Sequence, residues 1–174
     1  MAYRNPRDKT GICSVEGAKA EDVYSSLMEG LGFDVVQATI QQQFKGIDFS
    51  ITSNFTVDVK AMKRLKRSGE KQDKYVWLEI KSNSGQPGWI YKAADFIAFE
   101  RTKDFVMVRK KYLHEIIENL TDLETYVTDA SECLYKVYSR KGRKDVLTLI
   151  QMQDILVFPH IKINKGTEND NSIN

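Results

Sequence analysis

Residues 46–60 read GIDFSITSNFTVDVK, two runs of alternating apolar and polar residues joined by a polar turn. In the first run Ile47, Phe49 and Ile51 share one face, with Asp48 and Ser50 opposite. In the second, Val57 and Val59 lie opposite Asp58 and Lys60. A period of two with one apolar face is the pattern of antiparallel strands laid against a helix. The polar faces carry more charge than such a sheet needs. Like charges facing each other across a strand pair cost stability.

A divalent cation relieves that cost. Mg²⁺ takes oxygen ligands, typically one or two carboxylates completed by waters and a substrate phosphate. Asp48 and Asp58 are therefore candidate metal ligands. Lys60, two residues from Asp58 and pointing the same way, would stabilise charge on a phosphate or help position an attacking water.

Because side chains alternate, the turn decides whether the aspartates meet. A two-residue loop at Ser53-Asn54 pairs Thr52 with Phe55 and sets Asp48 and Asp58 on opposite faces. A three-residue loop, 52–54, pairs Ile51 with Phe55 and Phe49 with Val57. Asp48 then faces Asp58 across the ladder, with Cβ atoms about 5 Å apart. A metal pair requires the three-residue connection, or a bulge restoring the same parity; Asn54 tolerates the left-handed conformation such loops end in.

Outward from this stretch, Ala20, Val23, Tyr24, Leu27 and Leu31 recur at helical spacing. They predict a helix over 15–31, with Ser14 as N-cap and Gly32 just past its end. DVVQATI (34–40) and YVWLEIKS (75–82) read as strands, the latter extending the meander. DFIAF (95–99) and FVMVR (105–109) are further strands, the second apolar enough to be buried on both faces. GWIYKAA (88–94) reads as a short helical piece, and KKYLHEIIENL (110–120) as a helix striped by Leu113, Ile116, Ile117 and Leu120. CLYKVYS and DVLTLIQ flank RKGRK (140–144) as a hairpin. From Lys162 the chain turns polar. These elements predict an α+β fold with a mixed sheet, as a single domain over 1–161 followed by a polar, disordered tail over 162–174.

Composition excludes much. Of 174 residues, 41% are hydrophobic and 29% charged, the balance of a folded globular chain rather than a disordered one. No apolar run approaches the ~20 residues of a membrane span, and MAYRNPRDKTG at the N-terminus lacks a signal-peptide core; both point to an intracellular protein with no membrane partner. Cys13 and Cys133 form no disulfide framework or zinc spacing, and His114 and His160 are isolated. Neither a phosphate-binding P-loop nor a GxGxxG is present. Chemistry must rest on carboxylates, lysines and hydroxyls. The net charge is only +2, but KAMKRLKRSGEKQDK (60–74) is strongly basic. Lys63, Arg64, Lys66 and Arg67 are candidate nucleic-acid contacts.

AEDVYSSLMEGLGF, KGIDFSI and FTVDVKAMKR together resemble the core of the PD-(D/E)xK nuclease superfamily. The likeness is strongest to Holliday-junction-resolvase-like and phage-encoded members, and it covers 17–120. The resemblance implies a restriction-endonuclease-like core with Glu21, Asp48, Asp58 and Lys60 as the catalytic set. It implies DNA as substrate, branched or junction DNA among its forms, cut by a water activated by Mg²⁺, with Mn²⁺ substituting. It further implies a cytoplasmic location in a bacterial or phage-infected cell, and a homodimer for paired cuts. GID stands where the family has PD. Glu79-x-Lys81 offers a second (D/E)xK that would replace or support Asp58-x-Lys60, and Glu16, Asp22 and Glu29 compete with Glu21. Trp89 is either a packed aromatic or a group that stacks on or wedges DNA. A catalytically silent nucleic-acid-binding protein of the same fold, a regulator or phage counter-defence protein, is the alternative.

Overall fold

Phe49, Ser50 and Ile51 (β2, Phe49–Ile51) pair antiparallel with Val57, Thr56 and Phe55 of β3 (Phe55–Lys60). This is the register that sets Asp48 on the same face as Asp58; the connecting residues 52–54 lie outside the described residues. The computed structural model describes residues 12–30, 33–51, 55–65, 69–140 and 142–166.

The strands form two sheets in an α+β arrangement. The first has six strands in the order β1 (Val35–Gln37), β2, β3, β5 (Phe96–Glu100), β6 (Asp104–Arg109), β10 (His160–Asn164). β3 and β5 run parallel and every other pair is antiparallel, so the sheet is mixed. Parallel neighbours need a long crossover. Here it carries β4 (Tyr75–Lys81) and a 3₁₀ turn (Trp89–Tyr91).

β4 does not extend the meander, contrary to the expectation for YVWLEIKS. It heads a second sheet, β4-β9-β8-β7, with β7 Asp122–Val127, β8 Lys136–Ser139 and β9 Val146–Gln151. The place beside β3 goes to β5, whose Ile97, Ala98 and Phe99 are buried, as suits a central parallel strand. β4 alternates buried and half-exposed residues, which suits a two-faced sheet. β8 and β9 form the expected hairpin around the basic turn, and all of β6 except Arg109 is buried.

Helix α1 (Ile12–Gly30) covers one face of the first sheet. Ala20, Tyr24 and Met28 pack there with Phe49, Val57, Val59 and Met107, and Tyr24 donates a hydrogen bond to Met107 Sδ at 3.0 Å. The helix begins before Ser14, which is therefore not its cap; Leu31 and Gly32 lie outside the described residues. Val23 is exposed, so the buried stripe runs Ala20-Tyr24-Met28. On the opposite face, Ile97, Phe99 and Val108 pack with Leu113, Ile116 and Ile117 of α3 (Lys110–Leu120) and with Val76, Leu78 and Ile150 of the second sheet.

Two corrections concern short elements. DVVQATI is a strand only over Val35–Gln37; a one-turn helix α2 (Ile40–Phe44) follows, capped reciprocally by Thr39 and Gln42. The sheet continues past the expected boundary at 161. β10 pairs with β6 through Asn164, burying Ile163, after a one-turn helix α4 (Met152–Leu156). Lys165 then reaches Glu100 at 2.9 Å. The rest of the expected tail, 167–174, lies outside the described residues. No helix among the described residues is long and apolar enough to cross a membrane.

Candidate active site

Asp58 lies in the middle of the first sheet, between β2 and β5, and is 3% exposed. Its Oδ1 stands 2.5 Å from Lys60 Nζ, and its Oδ2 has no hydrogen-bonding partner. Burial pushes the Asp58 carboxyl up to about 7; the charge and hydrogen bond of Lys60 oppose this, and the charge of Asp48 and a hydrogen bond that the protonated Asp58 can make to it add to the rise.

Asp48 arrives through a tight turn. Gly46 has φ +75°, and a Cβ there would come within 2.9 Å of the Lys92 side chain, so glycine alone fits. The Asp48 backbone N–H donates to the Val57 carbonyl at 2.9 Å. Its Oδ2 accepts from the Val59 N–H at 2.7 Å. The carboxylate is thus clasped to the backbone of β3 beside Asp58.

Glu21 sits on α1, one turn before the buried Tyr24. Burial is the main cause that pushes it up to about 7, and the charges of Asp48 and Asp58 add to this while Lys60 opposes it. Glu21, Asp48, Asp58 and Lys60 therefore share one electrostatic neighbourhood. Of the competing helix carboxylates, Glu16 pairs with Arg64 and Lys71 at 3.3 and 3.4 Å, and Asp22 and Glu29 are exposed. Among the described residues no three His, Cys, Asp or Glu side chains come together as a preformed metal cage. Two carboxylates, one with a buried unpartnered oxygen, still fit Mg²⁺, which keeps several waters and binds through one or two carboxylates.

The second (D/E)xK divides. Glu79 faces the site: its Oε2 accepts the Trp89 N–H at 3.2 Å. Burial raises its carboxyl, while the Trp89 bond and the charge of Lys60 pull it down. Lys81 is exposed beyond a β-bulge that separates it from Glu79. The close approach of β4 to the 3₁₀ turn requires Gly88, where a Cβ would strike the Glu79 carbonyl. Trp89 is half-buried, with Lys60 Nζ 4.8 Å above its ring and Phe99 edge-on to it.

Sequence reasoning missed Lys110. This half-buried amine on the first turn of α3 donates to the Lys92 carbonyl. Burial lowers its pKa, and the charges of Asp95 and Asp58 oppose that. Only the folded crossover brings α3 near β3, and a lysine pair opening a helix gives no local signal. The expected basic contacts fare unevenly: Lys63 lines a cavity with Lys60, Arg64 is held by Glu16, and Lys66 and Arg67 lie outside the described residues.

No family model matches the chain, and neither curated proteins nor solved structures give a significant match.

Proposed function

We propose that the protein is a metal-dependent endonuclease that hydrolyses DNA phosphodiester bonds, branched or junction DNA included. The observation that carries this reading is the buried Asp58 carboxyl: paired to Lys60 on one oxygen, unpartnered on the other, and beside the carboxylate of Asp48. A buried, half-satisfied carboxyl next to a second one is costly for the apo chain. An oxygen-seeking cation answers both costs. The order of elements adds support for a restriction-endonuclease-like core: α1, the β1-β2-β3 meander, then β5 parallel to β3.

Asp48 and Asp58 would hold Mg²⁺ or Mn²⁺. A bound metal of this kind lowers the pKa of its water and polarises a phosphoryl oxygen. Lys60 places its ammonium beside the same carboxylate, where it offsets charge that develops on the phosphate. Glu21, held near neutrality by burial and by the two aspartates, is suited to exchange a proton with the attacking water or its hydrogen-bonded neighbour near pH 7.

The alternative is a catalytically silent nucleic-acid-binding protein of the same fold, a regulator or a phage counter-defence protein. It is favoured by the lack of a three-ligand group among the described residues. Nicking of supercoiled plasmid and cleavage of a four-way junction, with Mg²⁺, Mn²⁺ or EDTA, separate the two. Cutting that needs the metal and disappears in Asp58→Asn is expected. Binding without cutting under every metal condition favours the silent protein.

A further inference from the structure

A cavity of about 450 Å³ opens beside Lys60. That volume falls within the roughly 300–1,000 Å³ of small-ligand sites. Its walls are Tyr75, Trp77 and Glu79 of β4, Trp89 of the 3₁₀ turn, and Phe99 at the end of β5. Of Glu21, Asp48, Asp58 and Lys60, Lys60 alone lines it.

The lining decides what it would take. Three acids, Asp73, Glu79 and Glu100, face three bases, Lys60, Lys63 and Arg101, so there is no surplus charge to attract a phosphate. Several of these groups are also committed. Arg101 forks onto Asp104 with both bonds at 2.6 Å, Glu100 accepts from Lys165 and from the Met62 N–H, and Asp73 accepts from the Thr102 N–H. What remains is the exposed Lys63 and an aromatic wall, in which Trp77 packs on Tyr138 and Trp89 carries Lys60 over one face, with one carboxyl edge, since only Oε2 of Glu79 is taken by Trp89. A flat, neutral group with polar edges suits such walls: aromatic side chains stack bases, and a carboxylate accepts from an exocyclic amino group.

Lys60 is shared between the cavity and the Asp58 carboxyl. We infer that the cavity receives an unpaired nucleobase from the nucleotide next to the scissile phosphate, which would make DNA with a flipped-out or unpaired base the preferred substrate. This rests on the nuclease reading above. A base within a duplex cannot reach the cavity without leaving its stack, and one that is already unpaired avoids most of that cost.

The test uses the full chain in EDTA, so that nothing is cut, and two DNA duplexes that differ at one 2-aminopurine, paired in one and extrahelical in the other. Binding is followed by 2-aminopurine fluorescence and by titration. The extrahelical probe should bind about tenfold tighter, in line with the stacking contribution of one base, and its fluorescence should be quenched. Trp77→Leu, which removes an aromatic wall, and Met62→Trp, which fills the cavity, should each abolish preference and quenching and leave affinity for the paired duplex unchanged. Equal affinity for both probes without quenching, or a preference that survives in both variants, overturns the cavity assignment and leaves the nuclease reading standing. Failure to bind either duplex removes both.

Discussion

Lys60 Nζ stands 2.5 Å from Asp58 Oδ1, while Asp58 Oδ2, equally buried, meets no donor. The pair is thus half complete. One amine cannot satisfy a carboxylate that burial has already pushed up to about 7, so the metal-free protein carries a cost at this position that varies with pH.

Asp58 binds its proton more tightly folded than unfolded. Its contribution to stability is therefore full below about pH 4 and is lost as pH rises through about 7. The loss is on the order of 4 kcal/mol at most; Glu21 acts in the same direction. Asp58→Asn removes the Asp58 part. In EDTA the variant should melt above the wild type at pH 8, with the gap narrowing toward pH 4. A variant that melts below the wild type at pH 8 would contradict the half-complete pair.

Ligand addition should reverse that order. A metal that binds only the folded state stabilises by mass action, so millimolar Mg²⁺ or Mn²⁺ should raise the melting temperature of the wild type and leave that of Asp58→Asn unchanged. Ca²⁺ and Zn²⁺ serve as comparisons. Equal shifts in both proteins would place the metal elsewhere.

Lys60 and Glu79 both lie near Trp89 but should differ in weight. Lys60→Met removes the ammonium that the proposed mechanism sets beside the phosphate and should slow cleavage about 100-fold or more. Glu79→Gln keeps the hydrogen bond from the Trp89 N–H and should change the rate less than about tenfold. Single-turnover cleavage with saturating enzyme measures both. A fatal Glu79→Gln would transfer the catalytic role to the second (D/E)xK.

Two glycines offer a test of packing. Gly88→Ala drives a methyl into the Glu79 carbonyl and should cost roughly 1–3 kcal/mol in urea denaturation. Gly17 lies inside α1 with nothing within 4 Å of an added Cβ, so Gly17→Ala should stabilise by about 0.5–1 kcal/mol. Similar effects at the two sites would mean that β4 and the 3₁₀ turn are farther apart than described.

The last described strand is tested in the same way. Ile163→Ala should cost about 2–5 kcal/mol, because Ile163 is 4% exposed in the core under α1. Ile161→Ala, at a position 52% exposed, should stay within about 0.5 kcal/mol. Equal costs would remove β10 from the sheet.

The β2-β3 register was legible because a one-residue slip would have turned Phe49 and Ile51 to the wrong face; two turn lengths were open, and the alternation together with the pairing of the aspartates selected the three-residue one. The α3 stripe was legible at Leu113, Ile116 and Ile117, whereas Leu120, at the end of the helix, is exposed; the paired aspartates were legible as well. The sheet that β4 joins was not legible: its alternation fits any half-buried position, and the choice depends on β9, far along the chain. β7 is exposed at all but Val127 and gives no alternation to read, and β10 buries little besides Ile163. α2 did carry a signal, since Thr39 and Gln42 have the spacing of a capping box. At the site, Lys110 and the Lys60–Trp89 contact depend on the crossover and leave no trace in local sequence.

That crossover also bears on how the chain is made. β4 leaves the ribosome well before β9, the only strand among the described residues that it pairs with. Throughout that interval Val76, Leu78 and Ile80 form an extended apolar segment with no ladder, the kind that draws chaperones or like segments of neighbouring chains. Synthesis that halts before Val146 yields a polypeptide that carries every candidate catalytic residue and still leaves this strand unpaired.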